Sequence, residues 1–336
     1  MRIAIIDLGT NIFNLFIAEI DTSKSTFLRT SHVFQGKKEC VTFKKLYKTK
    51  FPVKLGEGYT EKNFITPTAF ERGITTLKIY KKIISDYGVK KIIAFATSAI
   101  RSASNGKKFV RQAKKETGIK IKIISGEREA QLIYYGVKHA LDIGKNPSLI
   151  MDIGGGSTEF IIANRKKIFW KQSFDIGVAR LLEKFKPSDT IKKKEIKQIE
   201  NYLEQNLQPL FKVVTRFSST LVPSGKRIGK ITELIGSSGS FDTFAEMIAH
   251  RFYSPKILKG KSEYVFKMND YKKIHHYLLT SNKQKRISMS GLIEMRADMI
   301  VIASIFTNFI LKKFHFSKMR LSNYSLKEGA LFELLK

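Results

Sequence analysis

The sequence predicts an α/β protein of two domains, and three observations predict it. Residues 149–164, LIMDIGGGSTEFIIAN, read as a strand, a tight glycine turn and a second strand. Residues 3–19, IAIIDLGTNIFNLFIAE, repeat that pattern without a gap: Asp7 stands for Asp152, Gly9 for Gly154, Ile17 for Ile162 and Ala18 for Ala163. A duplicated unit dictates architecture, and 336 residues can hold two domains, each with its own core.

The hairpins carry chemistry as well as shape. Gly154, Gly155 and Gly156 can take positive φ and expose backbone N–H groups, and Asp152 sets a carboxylate beside them. An anion needs glycine there because a side chain would hold the backbone away, and a carboxylate suits the Mg²⁺ that nucleotides and polyphosphates bring. A plain glycine-rich hairpin has the same local sequence. The second copy favours the phosphate-binding reading.

Composition narrows the class. At 43% hydrophobic and 11% aromatic residues the chain is globular in composition. The longest apolar candidate, Met299 to Leu311, falls short of the roughly 18–20 residues of a membrane span. It is also interrupted by Ser304, Thr307 and Asn308, so it reads as a buried helix and no membrane partner is expected. Asp7 inside the first apolar stretch, with no small-residue cleavage site after it, argues against a signal peptide and for the cytoplasm. Cys40 is the single cysteine, which excludes an internal disulfide or a cysteine metal cluster. Lys and Arg number 61 against 29 Asp and Glu, a net charge of +32 that would attract a polyanion. The basic residues are spread along the whole chain, as at Lys44, Lys114, Lys192 and Lys312, which also fits a lysine-rich composition with a solvated basic surface. No groove for specific nucleic acid is indicated.

After the first hairpin, residues 26–54 alternate apolar and polar and read as further strands of the same sheet. In LGEGYTEKNF, residues 55–64, Glu61 stands where a dinucleotide fingerprint needs its third glycine, which rules out that site. A helix is predicted from Thr66 to Tyr87, opened by Pro67 and closed by Gly88, followed by a buried strand from Lys91 to Ala96. Thr97 to Arg101 then sits at a strand's carboxyl end, where α/β proteins gather their functional groups. The planar fork of Arg101 suits bidentate binding of phosphate oxygens.

A helix over 105–117 and a strand from Lys120 to Ile124 lead to SGEREAQLIYYGVKHAL, residues 125–141. Helical spacing puts Glu127, Gln131 and Lys138 on one polar side, while Glu129 shares its side with Leu132, Ile133 and Gly136. A carboxylate so placed is partly desolvated and can serve as a general base. Glu127 reads as an ordinary helix-dipole partner. Beyond the central hairpin come a strand from Lys167, a strand-to-helix passage at Gly177, a long polar helix from Ile191 to Phe211, and a strand ending in Gly236-Ser237-Ser238-Gly239 before a helix. Such a turn at a helix N-terminus is an anion or nucleotide site by backbone geometry. The remainder is predicted mainly helical, with a strand or turn at Met319 to Leu321 and a closing helix from Tyr324 to Leu335. Pro255 blocks a P-loop reading of Gly260-Lys261-Ser262, and His275-His276 has no neighbouring ligands for a metal.

The chain resembles the exopolyphosphatase and guanosine pentaphosphate phosphohydrolase family of the actin and sugar-kinase superfamily, in its short two-domain form. The resemblance is carried, in order along the chain, by AIIDLGTN (4–11), LGEG (55–58), ATSAIRSASNG (96–106), ISGEREAQLIYYGV (124–137), DIGGGSTEF (152–160), IGVARL (176–181), LIGSSGSFDTFAE (234–246), RADMIV (296–301) and LSNYSLKEGAL (321–331). It implies two actin-like (ribonuclease H-like) domains flanking a central cleft. Residues 1–125 would form the first, with a C-terminal helix at 322–336 packing back on it, and residues 126–321 the second.

The same resemblance implies Mg²⁺-dependent hydrolysis of a terminal phosphoanhydride of inorganic polyphosphate. Glu129 would activate water. Asp152 and Glu159, with Asp7, would support the metal, while Asp7, Gly9, Thr10, Asn11, Arg101, Gly154, Gly155, Gly156 and Ser157 would hold phosphate. Phosphoryl transfer needs mainly positioning, charge neutralisation and an oriented water. Guanosine pentaphosphate is the alternative substrate, and a non-catalytic alarmone or polyphosphate sensor the alternative role. A sugar or acetate kinase of the same superfamily would need a sugar or acyl site. The family also suggests a homodimer. The chain departs from the family pattern at Ile12, Asn14, Ser102 and Asn323, none of which touches the proposed base or the second loop. A loss of hydroxyl at Ile12 removes one phosphate contact.

Overall fold

The computed structural model describes residues 1–20, 43–58, 63–219 and 229–335. It divides into two compact units, one of Met1–Ser125 with Ala330–Lys336 and one of Gly126–Gly329. The strands expected over 26–42, Cys40 and Glu61 lie outside the described residues.

The first unit runs β1 (Arg2–Leu8), β2 (Ile12–Ile20), β3 (Phe43–Pro52), α1 (Pro67–Asp86), β4 (Lys91–Ala96), α2 (Ser98–Ser102), α3 (Gly106–Thr117) and β5 (Ile121–Ile123). Its sheet has the order β3-β2-β1-β4-β5, with β1, β2 and β3 an antiparallel meander and β4 and β5 parallel to β1. The central strand β1 is a continuous apolar run because both faces are covered: Ile3, Ala4, Ile5 and Ile6 are all buried. The edge strand β3 presents Lys44, Lys45, Lys48 and Lys50, a charge pattern that discourages pairing with another chain. Helix α1 starts where the Thr66 hydroxyl accepts from the Ala69 N–H at 3.4 Å and Pro67 fills the first turn. It ends at Gly88, which takes φ +58.

The second unit opens with α4 (Gly126–Ala140) and a second meander, β6 (Ser148–Ile153), β7 (Thr158–Ala163) and β8 (Ile168–Phe174). Then come α5 (Val178–Phe185), α6 (Lys193–Asn206), α7 (Gln208–Ser219), β9 (Glu233–Ser237), α8 (Gly239–Phe252), β10 (Glu263–Phe266), α9 (Met268–Thr280), α10 (Lys283–Ile287), α11 (Met299–Lys313), β11 (Lys318–Ser322) and α12 (Leu326–Leu334). The sheet order is β10-β11-β9-β6-β7-β8, with β9 parallel to β6 as β4 is to β1. The predicted repeat is thus realised as a repeated topology, an antiparallel meander extended by parallel strands, which is the actin-like (ribonuclease H-like) arrangement. Each unit has its own apolar core.

Three elements differ from the sequence reading. The helix expected over 191–211 is two helices, α6 and α7, joined at Leu207; Leu203, Leu207 and Leu210 all stay buried, so the apolar period passes through the break. The four-residue edge strand β10 lies in a stretch expected to be helical, and it is too short to show a period. The helix expected over 322–336 begins only at Leu326, Ser322 being the last residue of β11, and its residues through Gly329 belong to the second unit. They are held there by Ser325, whose hydroxyl donates to Asp152. Helix α11 is buried as expected, with Ile302, Ala303, Phe306 and Ile310 all enclosed.

Candidate functional site

One row of residues crosses all six strands of the second sheet. Reading the register from edge to edge gives Glu263, Ser322, Ser237, Asp152, Glu159 and Ser173, a polar set in a sheet whose other rows are largely apolar. Asp152 and Glu159 are directly opposed partners on β6 and β7, so their side chains share one face. Both are buried, at 5% and 1% exposure. Buried polar groups persist only where they are bonded, and these are. The Ser325 hydroxyl donates to Asp152 Oδ2 at 2.7 Å, and the Ser173 hydroxyl donates to Glu159 Oε1 at 2.6 Å. Burial pushes the Asp152 carboxyl above the ordinary aspartate value, and the hydroxyls of Ser325, Ser238 and Ser237 with the Lys327 ammonium pull it partly back.

The loop joining β6 to β7 is Gly154 to Ser157. Gly154 N–H donates to Ser157 O at 3.0 Å and closes the turn. Its outward carbonyls are taken up by the start of α5: Val178 N–H donates to Gly154 O at 3.0 Å, and Ala179 N–H donates to Gly155 O at 2.9 Å. The N-terminal amides of α5, which no helical carbonyl can satisfy, are thus used on the loop. Gly177 permits this approach, since a Cβ there would overlap the backbone of Gly155. With the carbonyls held from behind, the amides of Gly155 and Gly156 make no hydrogen bond among the described residues. That is the geometry of an anion cradle.

The first unit repeats the device. Gly9 N–H donates to Ile12 O at 3.0 Å, matching Gly154 and Ser157, and a Cβ would stand 2.8 Å from Ile12 O at Gly9 and 2.9 Å from Ser157 O at Gly154. The loop carbonyls are again held from behind: Gly56 N–H donates to Thr10 O at 3.1 Å and Lys54 N–H to Asn11 O at 2.9 Å. Arg72 on α1 clamps that supporting segment. Its Nε donates to Val53 O at 2.9 Å, and its Nη2 pairs with Glu57 Oε2 at 2.7 Å. Asp7 differs from Asp152 in its partner, because Asn14 Nδ2 donates to Asp7 Oδ2 at 3.0 Å where the second hairpin has Glu159. Arg101 lies at the end of the short helix α2, itself tied to this loop by Thr97 N–H, which donates to Leu8 O at 3.3 Å. The Arg101 guanidinium is anchored through Nη1 to Ile124 O at 3.2 Å.

Glu129 is buried on α4 among Leu132, Ile133 and Gly136, while Glu127 is exposed, as the helical spacing predicts. Helix α4 packs across β7 and β8, the strands that carry Glu159 and Ser173. Glu129, Asp152, Gly154 to Ser157 and Glu159 belong to the second unit, and Asp7, Gly9, Thr10, Asn11 and Arg101 to the first.

The donor set suits Mg²⁺. Among the described residues no three His, Cys, Asp or Glu side chains are grouped to hold a metal by themselves. Mg²⁺ does not require such a cage, since it keeps several waters and binds through one or two carboxylates together with substrate phosphates. Asp152 and Glu159, two buried carboxylates side by side beside an anion cradle, fit that pattern. Sequence reading missed Arg72, Ser173 and Ser325 as supports. Their signal is three-dimensional, in strand register and helix packing, with no spacing along the chain to reveal it. Gly177 reads as a strand-to-helix passage and as part of IGVARL, without its close approach to Gly155.

Among the described residues no helix is long and apolar enough to cross a membrane. Residues 33–336 match the description "Ppx/GppA phosphatase family". A putative exopolyphosphatase of Haemophilus influenzae is 26% identical over 337 residues, covering 100% of this chain and 92% of that protein. The bifunctional 3-dehydroquinate synthase/phosphatase of Fusobacterium nucleatum is 40% identical over 207 residues, 60% of this chain but only 28% of that longer protein. The crystal structure of an exopolyphosphatase from Cytophaga hutchinsonii superimposes with a TM-score of 0.87 at 36% identity, covering 100% and 98% of the two chains. The Aquifex aeolicus member of the Ppx/GppA family gives 0.74 at 25% identity, covering 100% and 97%. The chain belongs to the Ppx/GppA phosphatase family and is a hydrolase of phosphoanhydride bonds.

Proposed function

We propose that the chain removes the terminal phosphate of inorganic polyphosphate, with Glu129 as the base that takes a proton from the attacking water. The observation that carries this reading is the second loop with its row: unbonded amides of Gly155 and Gly156 beside the paired carboxylates Asp152 and Glu159. Backbone amides recognise phosphate oxygens without regard to what the rest of the substrate is. The loop at Gly9 to Asn11, built the same way, is a second phosphate-binding element, and Arg101 supplies a planar fork for a further phosphate. Mg²⁺ would be held by Asp152 and Glu159, with Asp7 the corresponding carboxylate of the first loop; when bound it neutralises charge developing on the phosphate oxygens. Glu129 is buried on α4, the helix that packs across the strands carrying Glu159 and Ser173, and a carboxylate is a group that can act as a general base. The net charge of +32 favours capture of a polyanion. The relatives named as exopolyphosphatases support this substrate, and guanosine pentaphosphate is the second reading. We place the reaction in the cytoplasm.

Phosphate release from long-chain polyphosphate and from guanosine pentaphosphate, each with and without Mg²⁺, tests the reading. Faster release from polyphosphate supports it. Faster release from the pentaphosphate selects the second reading, and tight binding of either with no release makes the chain a sensor.

A further inference from the structure

We infer that Ser325 is a positioning residue for Asp152, and that Gly136 in turn fixes Ser325. The inference rests on the reading above, in which Asp152 holds Mg²⁺. Ser325 immediately precedes α12, where a serine ordinarily serves its own helix by accepting from an amide of the first turn. Here its hydroxyl donates to Asp152 Oδ2 at 2.7 Å, on a strand 173 residues earlier in the chain.

The backbone of Ser325 is held at both ends. Its N–H donates to Glu328 Oε2 at 3.0 Å, and its carbonyl accepts from Gly329 N–H at 2.9 Å. On the third side lies α4, whose Gly136 approaches so closely that a Cβ would overlap the Ser325 carbonyl. Gly329 makes the reciprocal approach to Leu132 O. The hydroxyl is therefore fixed in space by α4 and α12 together, and it fixes one oxygen of Asp152. Gly136 follows Glu129 by seven residues, about two helical turns, so both lie on one face of α4. The helix that carries the proposed base is thus also the reference for the carboxylate. Partners of this kind orient metal-binding carboxylates and set their affinity.

Four single variants of the full chain and the double variant Ser325→Ala/Gly136→Ala test the inference. The single variants are Ser325→Ala, Ser325→Thr, Gly136→Ala and the control Asn282→Ala, which removes the side chain that accepts from the Lys285 N–H at 2.9 Å and caps α10. Two readouts are needed: the Mg²⁺ concentration at the midpoint of the thermal shift in inorganic phosphate, and kcat against KM for polyphosphate. Ser325→Ala is expected to raise the Mg²⁺ midpoint and lower kcat, each about 10–100-fold, with KM unchanged. Ser325→Thr keeps the hydroxyl and most of the wild-type midpoint. Gly136→Ala moves the midpoint in the same direction as Ser325→Ala, and the double variant is no worse than Gly136→Ala alone, since both act through one contact. Asn282→Ala lowers Tm and leaves the midpoint in place. A wild type that shows the Mg²⁺ shift but releases no phosphate from either substrate defeats the hydrolase reading alone, because the midpoint still reports on Ser325. A midpoint that Ser325→Ala leaves unmoved, or a wild type with no Mg²⁺-dependent shift, overturns the inference.

Discussion

Asn14 donates its side-chain amide to Asp7 at 3.0 Å, and the position equivalent to Asn14 in the second hairpin is held by Glu159, the register partner of Asp152. The duplicated hairpins have therefore diverged at the residue facing their shared aspartate. One aspartate faces a neutral donor, and the other faces a second carboxylate, the pair proposed above to hold Mg²⁺. Glu159→Gln keeps the shape and removes the charge, and is expected to lower turnover about 10–100-fold with a raised Mg²⁺ requirement. Asn14→Ala is expected to act mainly on stability, costing about 1.5–3 kcal/mol for the lost hydrogen bond to a carboxylate. Steady-state phosphate release and urea unfolding separate the two effects.

Gly177→Ala tests whether the second loop is set from behind. The added methyl would overlap Gly155 and displace the amides of Gly155 and Gly156. A misplacement of that order costs about 10²-fold in rate. The expected result is a fall in kcat/KM of that size with circular dichroism unchanged; wild-type kcat/KM would show that the loop's position is not critical.

The buried pair Arg320–Glu233 is a stability element of the second sheet. Arg320 Nη2 lies 2.6 Å from Glu233 Oε1, and Ser148 donates to the same oxygen at 2.8 Å. Burial raises the Glu233 carboxyl, but the Arg320 hydrogen bond and charge outweigh it, and the net shift is downward. Lys318 Nζ at 3.0 Å and the Ser148 hydroxyl remain on Glu233 when Arg320 is removed, so Arg320→Met is expected to cost about 1–3 kcal/mol in urea unfolding. The double variant Arg320→Met/Glu233→Leu is expected to recover most of that loss.

His275 makes part of the stability pH-dependent. Its Nδ1 lies 2.6 Å from Ser304 Oγ, and burial, with the charges of Lys312 and His276, pushes its pKa from 6.5 down to about 4. A folded-state value below the unfolded one means the unfolded chain binds the proton first. The stability is complete above 6.5 and is lost as pH falls toward 4, with a slope of at most about 1.4 kcal/mol per pH unit from this group. Between about pH 7 and about pH 5, His275→Gln is expected to lose less of its urea midpoint than the wild type. Equal losses would assign the acid sensitivity elsewhere.

Much of this was legible in the sequence because it lies in local pattern. The gapless alignment of Asp7 with Asp152 foretold two sheets of matching topology, and helical spacing alone separated buried Glu129 from exposed Glu127. The polar row from Glu263 to Ser173 was not legible, because β9, β10 and β11 join the meander from far along the chain and the row exists only once their register is set. The break at Leu207 was hidden by an apolar period that continues through it. Ser325 read as the start of a closing helix, and no local signal links it to a carboxylate on β6.

The central claim is that Glu129 takes the proton from water at a site built on Asp152 and the second glycine loop. Its most direct measurement is single-turnover phosphate release from polyphosphate by the wild type and Glu129→Gln, with polyphosphate binding measured in parallel. The account predicts unchanged binding and release slowed about 10²–10⁴-fold, the usual contribution of a general base. Release at the wild-type rate by Glu129→Gln would contradict it.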